Sequence, residues 1–341
     1  MKYWYVFPVV ALAALLLTSV LRQYALRRSI MDVPNERSSH SVPTPRGGGV
    51  AIVVTFLVSL VLLGYLQVQP YVWLTGLLGS GSLVAVIGFM DDHGHIAARW
   101  RLLGHFVAAL WALFWLNGLP TFSILGFSID LGWIGHALAA FYLVWMLNLY
   151  NFMDGIDGLA SVEAISACLG MCAIYLFFGF DNLIWAPAIL AMAVAGFLFW
   201  NFPPAKIFMG DAGSGFLGIT LGILSLQAAW AEPGFIWAWL IMLGIFICDS
   251  TFTLVRRLLR GEKVYEAHRS HAYQFASRNF GRHLPVTMAV LCINIFWLLP
   301  IAFLVMEFRF TGFVGLVFAY APLIYLAVKF NAGAVERSNV K

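Results

Sequence analysis

Eleven residues, Asn148 to Gly158, read Asn-Leu-Tyr-Asn-Phe-Met-Asp-Gly-Ile-Asp-Gly and lie between two long apolar runs. Carboxylates beside lipid are costly, so Asp154 and Asp157 at an apolar boundary require a reason. A structural reason is available for one of them: Asp157 could cap a helix beginning at Leu159. That reading leaves Asn148, Asn151 and Asp154 unexplained. Four further charged or polar clusters have the same character.

Asp91-Asp92 closes an apolar run directly after Val-Ile-Gly-Phe-Met. Adjacent carboxylates at a helix C-terminus repel each other and oppose the macrodipole, a conflict that a bound cation or a cationic partner would remove. The segment from Asn201 to Gly215 contains Pro203-Pro204 and then Gly-Asp211-Ala-Gly-Ser-Gly at the start of another apolar run. It suits a divalent metal on Asp211 with an anion on the backbone N–H groups of Gly213 to Gly215. No GxxxxGK[ST] is present, so this is not a Walker loop. Pro43-Thr-Pro-Arg46-Gly-Gly-Gly49 follows Asp32-Val-Pro-Asn-Glu-Arg-Ser-Ser-His40. Its three glycines admit either a close ligand or a flexible helix entry. The stretch from Arg256 to His283 is strongly basic and includes His268-Arg269-Ser270-His271. Two His at i, i+3 lack an obvious third zinc ligand, whereas the surrounding arginines suit substrate phosphates or lipid headgroups.

These clusters must be positioned by apolar elements. The 341 residues are 62% hydrophobic and 11% charged, which excludes an ordinary soluble domain and indicates a polytopic membrane protein. Apolar runs long enough to span occur at about 3–21, 48–66, 71–90, 102–118, 133–150, 159–179, 183–200, 213–231, 234–254, 286–306 and 311–330. The expected fold is all-α, one transmembrane domain over 1–341 with about 11 spans. The first run is read as a retained helix, because its arginines follow it and no small-residue cleavage site closes it. With the N-terminus outside, 18 of the 20 Lys and Arg fall on one side, leaving only Lys2 and Arg309 on the other. By the positive-inside rule that side, with the C-terminus and every cluster above, is cytoplasmic. Between Thr121 and Gly132 the opposite side offers a small β-hairpin. Cys168, Cys172, Cys248 and Cys292 lie in apolar runs without metal or disulfide spacing. Asp249 is the one acid well inside a span; it shares a helix face with Arg256, two turns on, and either bonds a neighbouring helix or lines the floor of a cytoplasmic cavity.

Carboxylates suited to a metal, a phosphate-friendly helix start and a basic loop on one membrane face fit phosphoryl transfer between a soluble donor and a membrane-bound acceptor. Here the chain resembles the polyprenyl-phosphate N-acetylhexosamine-1-phosphate transferases. The matching elements are Pro43-Thr-Pro-Arg-Gly-Gly, Asp91-Asp92, Asn151-Phe-Met-Asp-Gly-Ile-Asp-Gly-Leu159, Phe208-Met-Gly-Asp-Ala-Gly-Ser-Gly and His268-Arg-Ser-His271, in the family's order and across nearly the whole chain.

The resemblance implies transfer of a sugar 1-phosphate from a UDP-N-acetylhexosamine to undecaprenyl phosphate, with release of UMP. It implies Asp211 as the Mg²⁺ ligand (Mn²⁺ being an alternative ion) and Asp91-Asp92 as the catalytic pair. Asn151, Asp154, Asp157, Asn201 and Phe208 would form the nucleotide site, with Phe208 stacking on uracil. Arg46, His268, Arg269 and His271 would meet phosphate and sugar. The expected partners are those two substrates and the lipid bilayer of a bacterial inner membrane, with no nucleic acid; a homodimer is left open. The chain departs from the peptidoglycan branch, which has three successive histidines in the last loop and a lysine shortly after the aspartate pair. His-Arg-Ser-His and His93-Gly-His95 stand here instead, which favours the O-antigen and surface-polysaccharide branch. The alternative class, a transporter or flippase, would place its ionisable residues near the bilayer midplane rather than at one face.

Overall fold

The computed structural model describes residues 3–34, 39–40, 42–94, 96–124, 127–263, 268–308 and 312–335. Lys2, His95, Arg309 and residues 35–38 of the first basic loop lie outside them. Each of the eleven apolar runs contains a helix. In order these are α1 (Val6–Arg28), α2 (Val50–Tyr65), α3 (Tyr71–His93), α4 (Ala98–Leu116), α5 (Gly132–Met153), α6 (Leu159–Phe177) and α7 (Trp185–Asn201). They continue with α8 (Asp211–Ala231), α9 (Gly234–Met242), α10 (Gly244–Leu259), α11 (Ala272–Phe280), α12 (Leu284–Ile293), α13 (Leu299–Glu307) and α14 (Gly312–Lys329). The fold is nearly all-α and polytopic.

Among the described residues eight helical stretches are long and apolar enough to cross a membrane, or nine if the bent α9–α10 pair counts as one. Two of the expected eleven fall short for visible reasons. The 16-residue α2 is short, and Arg99 and Arg101 in the first turn of α4 lower its hydropathy. A third expectation needs correction: the run at 234–254 is two helices bent by 71°. Leu243 leaves helical geometry at the break, and the Tyr320 hydroxyl donates to the nearby Leu240 carbonyl at 2.7 Å. The residues flanking the break, 240–243 and 245–248, are all apolar, so hydropathy shows the length of the run but not its change of direction.

α8 is buried from Ala212 to Ala229 and packs chiefly against α3 and α5. Small residues make this possible: a Cβ on Gly218 would sit 2.4 Å from the Met146 carbonyl oxygen. Glu163, fully buried on α6, accepts a 2.7 Å hydrogen bond from Asn294. Asn294 opens a single π-helical turn between α12 and α13. Two short antiparallel pairs complete the fold. β1 (Met31–Asp32) pairs with β2 (Thr44–Pro45). β3 (Phe122–Ile124) pairs with β4 (Phe127–Ile129), the hairpin expected from the sequence; residues 125–126 at its tip lie outside the described residues.

Candidate functional site

The aspartate pair at the end of α3 meets the start of α8, and the two acids have different surroundings. Asp91 accepts the Ile96 N–H at 2.8 Å and pairs with the Arg101 guanidinium. The same arginine lies 3.4 Å from the Asp211 carboxylate. Asp92 is buried, and its two carboxylate oxygens accept the backbone N–H groups of Asp211 at 3.1 Å and Ala212 at 3.3 Å. It therefore caps α8 from another helix, where the macrodipole favours a negative charge. The sequence assigned an anion to the N–H groups of Gly213 to Gly215; the anion within the chain, Asp92, instead takes those of Asp211 and Ala212. Farther along the turn, Gly213 and Ser214 donate their N–H groups to the Gly210 carbonyl.

Two loops distant in sequence are zipped together beside this junction. Phe208 N–H donates to the Pro45 carbonyl at 2.8 Å, Gly48 N–H to the Phe208 carbonyl at 2.9 Å, and Gly49 N–H to the Met209 carbonyl at 2.8 Å. A Cβ on Gly49 would stand 2.5 Å from the Gly213 Cα. Gly48 and Gly49 thus allow close approach between two segments of the protein itself, rather than around a ligand. The Arg46 guanidinium, carried by this ladder, donates to the Asp92 main-chain carbonyl.

The Asn151–Gly158 turn faces the α3–α8 junction. Asn151 Nδ2 donates to Ser214 Oγ at 3.2 Å, tying the end of α5 to α8, while Asn148 turns back onto its own helix through the Val144 carbonyl. Asp154 follows the last residue of α5. Burial and then the carboxylates of Asp211, Asp92 and Asp157 push its carboxyl group well above the usual range. Asp157 does not cap α6, whose N-cap is Gly158 in the left-handed region. Its carboxylate instead accepts the Ala205 N–H at 3.0 Å and stands 3.1 Å from His283 Nδ1. His283 Nε2 is 3.0 Å from the Ser39 carbonyl. Burial opposes charge on this imidazole, but the Asp157 carboxylate and Ser39 carbonyl outweigh it and hold the His283 pKa above its ordinary value. Asn201 is buried and spends its amide on the fold: Oδ1 accepts Gly158 N–H and Nδ2 donates to the Ile207 carbonyl, both at 3.0 Å.

A cleft of about 420 Å³ opens between these parts. Arg46, Asp92, Asn151, Asp154, Asp157, Asn201, Phe208, Asp211 and His268 from the sequence-derived set all line it. Asp91 lies behind it in a small adjoining cavity with Arg101 and Asn151. Arg269 and His271 are not among the lining residues; the His271 ring is buried and stacks on His268, with centroids 4.9 Å apart. Sequence reasoning missed several participants. Arg101 shows only as a basic residue ten positions after Asp91, and His283 and Gln274 follow the histidine motif without a spacing of their own. His40, packed edge-on against Phe208 at 4.8 Å, shows in the sequence only as the end of a loop.

Among the described residues no three His, Cys, Asp or Glu side chains form a ready-made metal set. Magnesium does not need one, because it keeps several waters and takes one or two carboxylates alongside substrate phosphates. Asp211 and Asp154 fit that demand: the Asp154 carboxyl is disfavoured as an anion by burial and then by its acidic neighbours, and a divalent cation would offset the repulsion. Acids, a guanidinium, three imidazoles and a half-buried aromatic around one cleft can bind a nucleoside diphosphate and orient a second phosphate beside it.

Comparisons with known proteins agree with this chemistry. The description "Glycosyl transferase family 4" matches residues 74–229. A Bacillus subtilis protein described as "Probable undecaprenyl-phosphate N-acetylglucosaminyl 1-phosphate transferase" is 31% identical over 273 residues, 78% of this chain and 75% of its own length. The undecaprenyl-phosphate alpha-N-acetylglucosaminyl 1-phosphate transferase of Thermotoga maritima is 29% identical over 80% of this chain and 81% of its own length. A phospho-N-acetylmuramoyl-pentapeptide-transferase of Moorella thermoacetica is 34% identical over a shorter stretch, 54% of this chain and 61% of its own length. With the family match spanning both the aspartate pair and the start of the Asp211 helix, and the Bacillus subtilis relative matched over most of both chains, the chain belongs to the polyprenyl-phosphate N-acetylhexosamine-1-phosphate transferases of glycosyl transferase family 4.

Proposed function

We propose that this protein transfers N-acetylhexosamine 1-phosphate from a UDP-N-acetylhexosamine to undecaprenyl phosphate, releasing UMP, as the initiating step of O-antigen or related surface-polysaccharide synthesis. The observation that carries the reading is the single cleft in which residues from five separated motifs converge at one end of an apolar bundle. The donor and acceptor follow the names of the relatives. The branch follows His268-Arg-Ser-His271, which stands in place of three successive histidines. The charge asymmetry of the loops supports eleven spans, an outside N-terminus and a cleft that opens on the cytoplasmic face of a bacterial inner membrane.

In this reading an acceptor phosphate oxygen attacks the donor's sugar-bearing phosphorus. The bond from that phosphorus to the bridging oxygen breaks, and UMP leaves with the oxygen. A phosphate monoester has a second pKa near ~6, so the acceptor is mostly dianionic at neutral pH and a strong general base is not essential. Asp211 and Asp154 would hold Mg²⁺, which when bound offsets negative charge on the donor diphosphate. Arg101 fixes Asp91 and Asp211 relative to each other, so the acids meet the phosphates in a set geometry. Arg46 adds a positive charge on the same wall. Phe208, His268 and Gln274 all line the cleft; in this reading Phe208 would stack on the uracil, and His268 and Gln274 would meet the sugar.

The test is direct. Detergent-solubilised protein, undecaprenyl phosphate and a panel of UDP-N-acetylhexosamines are mixed with Mg²⁺, and UMP is measured. Acceptor-dependent UMP release with one amino sugar supports the proposal. Release from none of the panel, with the protein folded, overturns it.

A further inference from the structure

We propose that Asp249 is a positioning residue for the cleft, and that α10 is the spine through which it acts; the inference rests on the functional reading above. Asp249 does not line the cleft. Its carboxylate, buried in α10, collects three donors and faces an imidazole. Oδ1 accepts the Ala272 N–H at 2.9 Å and Thr253 Oγ1 at 3.1 Å, and lies 3.2 Å from His271 Nδ1. Oδ2 accepts the Tyr273 N–H at 3.0 Å. The two backbone donors belong to the first turn of α11, a nine-residue helix too short to persist without outside support. Asp249 caps it across the chain, as Asp92 caps α8.

Arg256, two turns later on the same face of α10, grips the same segment from outside. Its guanidinium donates to the Ala332 carbonyl at 2.9 Å, and the next residue, Gly333, donates its N–H to the Ser270 carbonyl at 2.6 Å. The segment from Ser270 to Tyr273 is therefore fixed on two sides by one helix. From there the order passes to the cleft. Tyr273 Oη donates to the Phe152 carbonyl at 2.9 Å, inside the Asn151–Asp154 motif. A Cβ on Gly155 would meet that hydroxyl at 2.2 Å, so the tyrosine presses directly on the Asp154 turn. Gln274 and His268, at the two ends of the gripped segment, line the cleft. Asp249 thus sets the position of the wall carrying His268, Gln274 and the Asp154 turn.

The experiment compares wild type with Asp249→Asn, whose amide keeps the size but offers one acceptor where two backbone donors point. Hydrogen–deuterium exchange is followed in peptides covering 268–280 and in peptides of α3 and α8. UMP release is measured with donor and acceptor titrated separately. The proposal expects exchange at 271–275 to rise about tenfold or more, with α3 and α8 unchanged. It also expects donor KM to rise about fivefold or more, while acceptor KM holds. A residue that serves only general stability would lower the folded fraction and leave both KM values of the remainder alone. Unchanged exchange at 271–275, or a loosened α11 with unchanged donor kinetics, overturns the proposal. Should Asp249→Asn fail to fold, Arg256→Gln cuts only the outer grip: exchange at 268–271 and donor KM must then rise together, and their failure to do so is equally decisive. Exchange needs no substrate. Absence of UMP release by the wild type would therefore overturn the functional reading, while the exchange comparison still decides whether Asp249 fixes the segment.

Discussion

The carboxylate of Asp92 and the backbone N–H of Asp211 meet at 3.1 Å across a sequence separation of 119 residues. The second acid of the pair is thus the cap of the helix that begins with the proposed metal ligand. Asp92→Ala should lower stability by about 0.5–2 kcal/mol through loss of the cap and should reduce turnover by letting the start of α8 shift. Asp92→Asn, retaining one acceptor, should fall between. Thermal unfolding in detergent, read beside UMP release, checks the order; an alanine variant as stable as wild type would remove Asp92 from this role.

Asp211→Asn should abolish transfer while leaving the protein folded, because the Asp92 cap uses the backbone of residue 211 and not its side chain. Added Mg²⁺ should raise the wild-type melting temperature, since a ligand binding only the folded state stabilises it in proportion to ln(1 + [L]/Kd). The variant should show no such rise. Near wild-type turnover at ordinary Mg²⁺ would contradict the assignment.

Asp91 is engaged by Arg101 and Ile96, which suits an orienting group better than a proton acceptor. The expectation is that Asp91→Asn is slow at every pH above the acceptor's second pKa of ~6, and that Arg101→Gln shares its profile. Recovery of the Asp91→Asn rate as pH rises would instead assign Asp91 the role of base.

His283 links the Asp157 turn to Ser39, and the His283 pKa is held above 6.5. A group whose folded pKa is raised contributes stability that is fully present below its unfolded value and is lost as pH rises through the folded value. The stability difference between wild type and His283→Gln should accordingly be largest below pH 6.5 and shrink above the folded pKa. Melting temperatures of both proteins across this range provide the measurement; a constant difference would mean that the proton on His283 does not matter.

Gly49→Ala should destabilise the junction of α2 and α8 by about 1–3 kcal/mol through overpacking, since the new methyl group would lie on the Gly213 Cα. Ala at Gly94, where the nearest foreign atom to a Cβ is 3.8 Å away, is the control, and chemical unfolding of the two variants compares them.

The helical architecture was legible because a lipid-facing helix must be apolar over a length fixed by the bilayer, and each such run from α1 to α14 contains helix. The convergence of Asp154, Asp157 and Asp211 on one cleft was legible as well, since costly polar groups at apolar boundaries stand out; Phe208 joined them only through the family resemblance. What each group bonds was not. The conflict posed by Asp91-Asp92 anticipated a cation or cationic partner, and Arg101 supplies one for Asp91. For Asp92 the answer is a helix start 119 residues away, and nothing local specifies such a contact. Asp157 illustrates the same limit: its position before an apolar run suggests a cap, while its oxygens go to Ala205 and His283. The bend after Met242 is silent for a different reason, because apolarity carries no direction.

The caps supplied across the chain have a consequence for biogenesis. α8 cannot receive its cap until it emerges beside a helix already inserted 119 residues earlier. At typical synthesis rates that is a wait of roughly 6–24 s, during which the Asp92 carboxylate has no helix start to bind. Insertion machinery or water must tolerate that acid for the interval. Slowing translation between α3 and α8 would lengthen the exposed period, so the yield of protein, and not only its catalysis, depends on the arrival of Gly210-Asp211-Ala212 at its waiting partner.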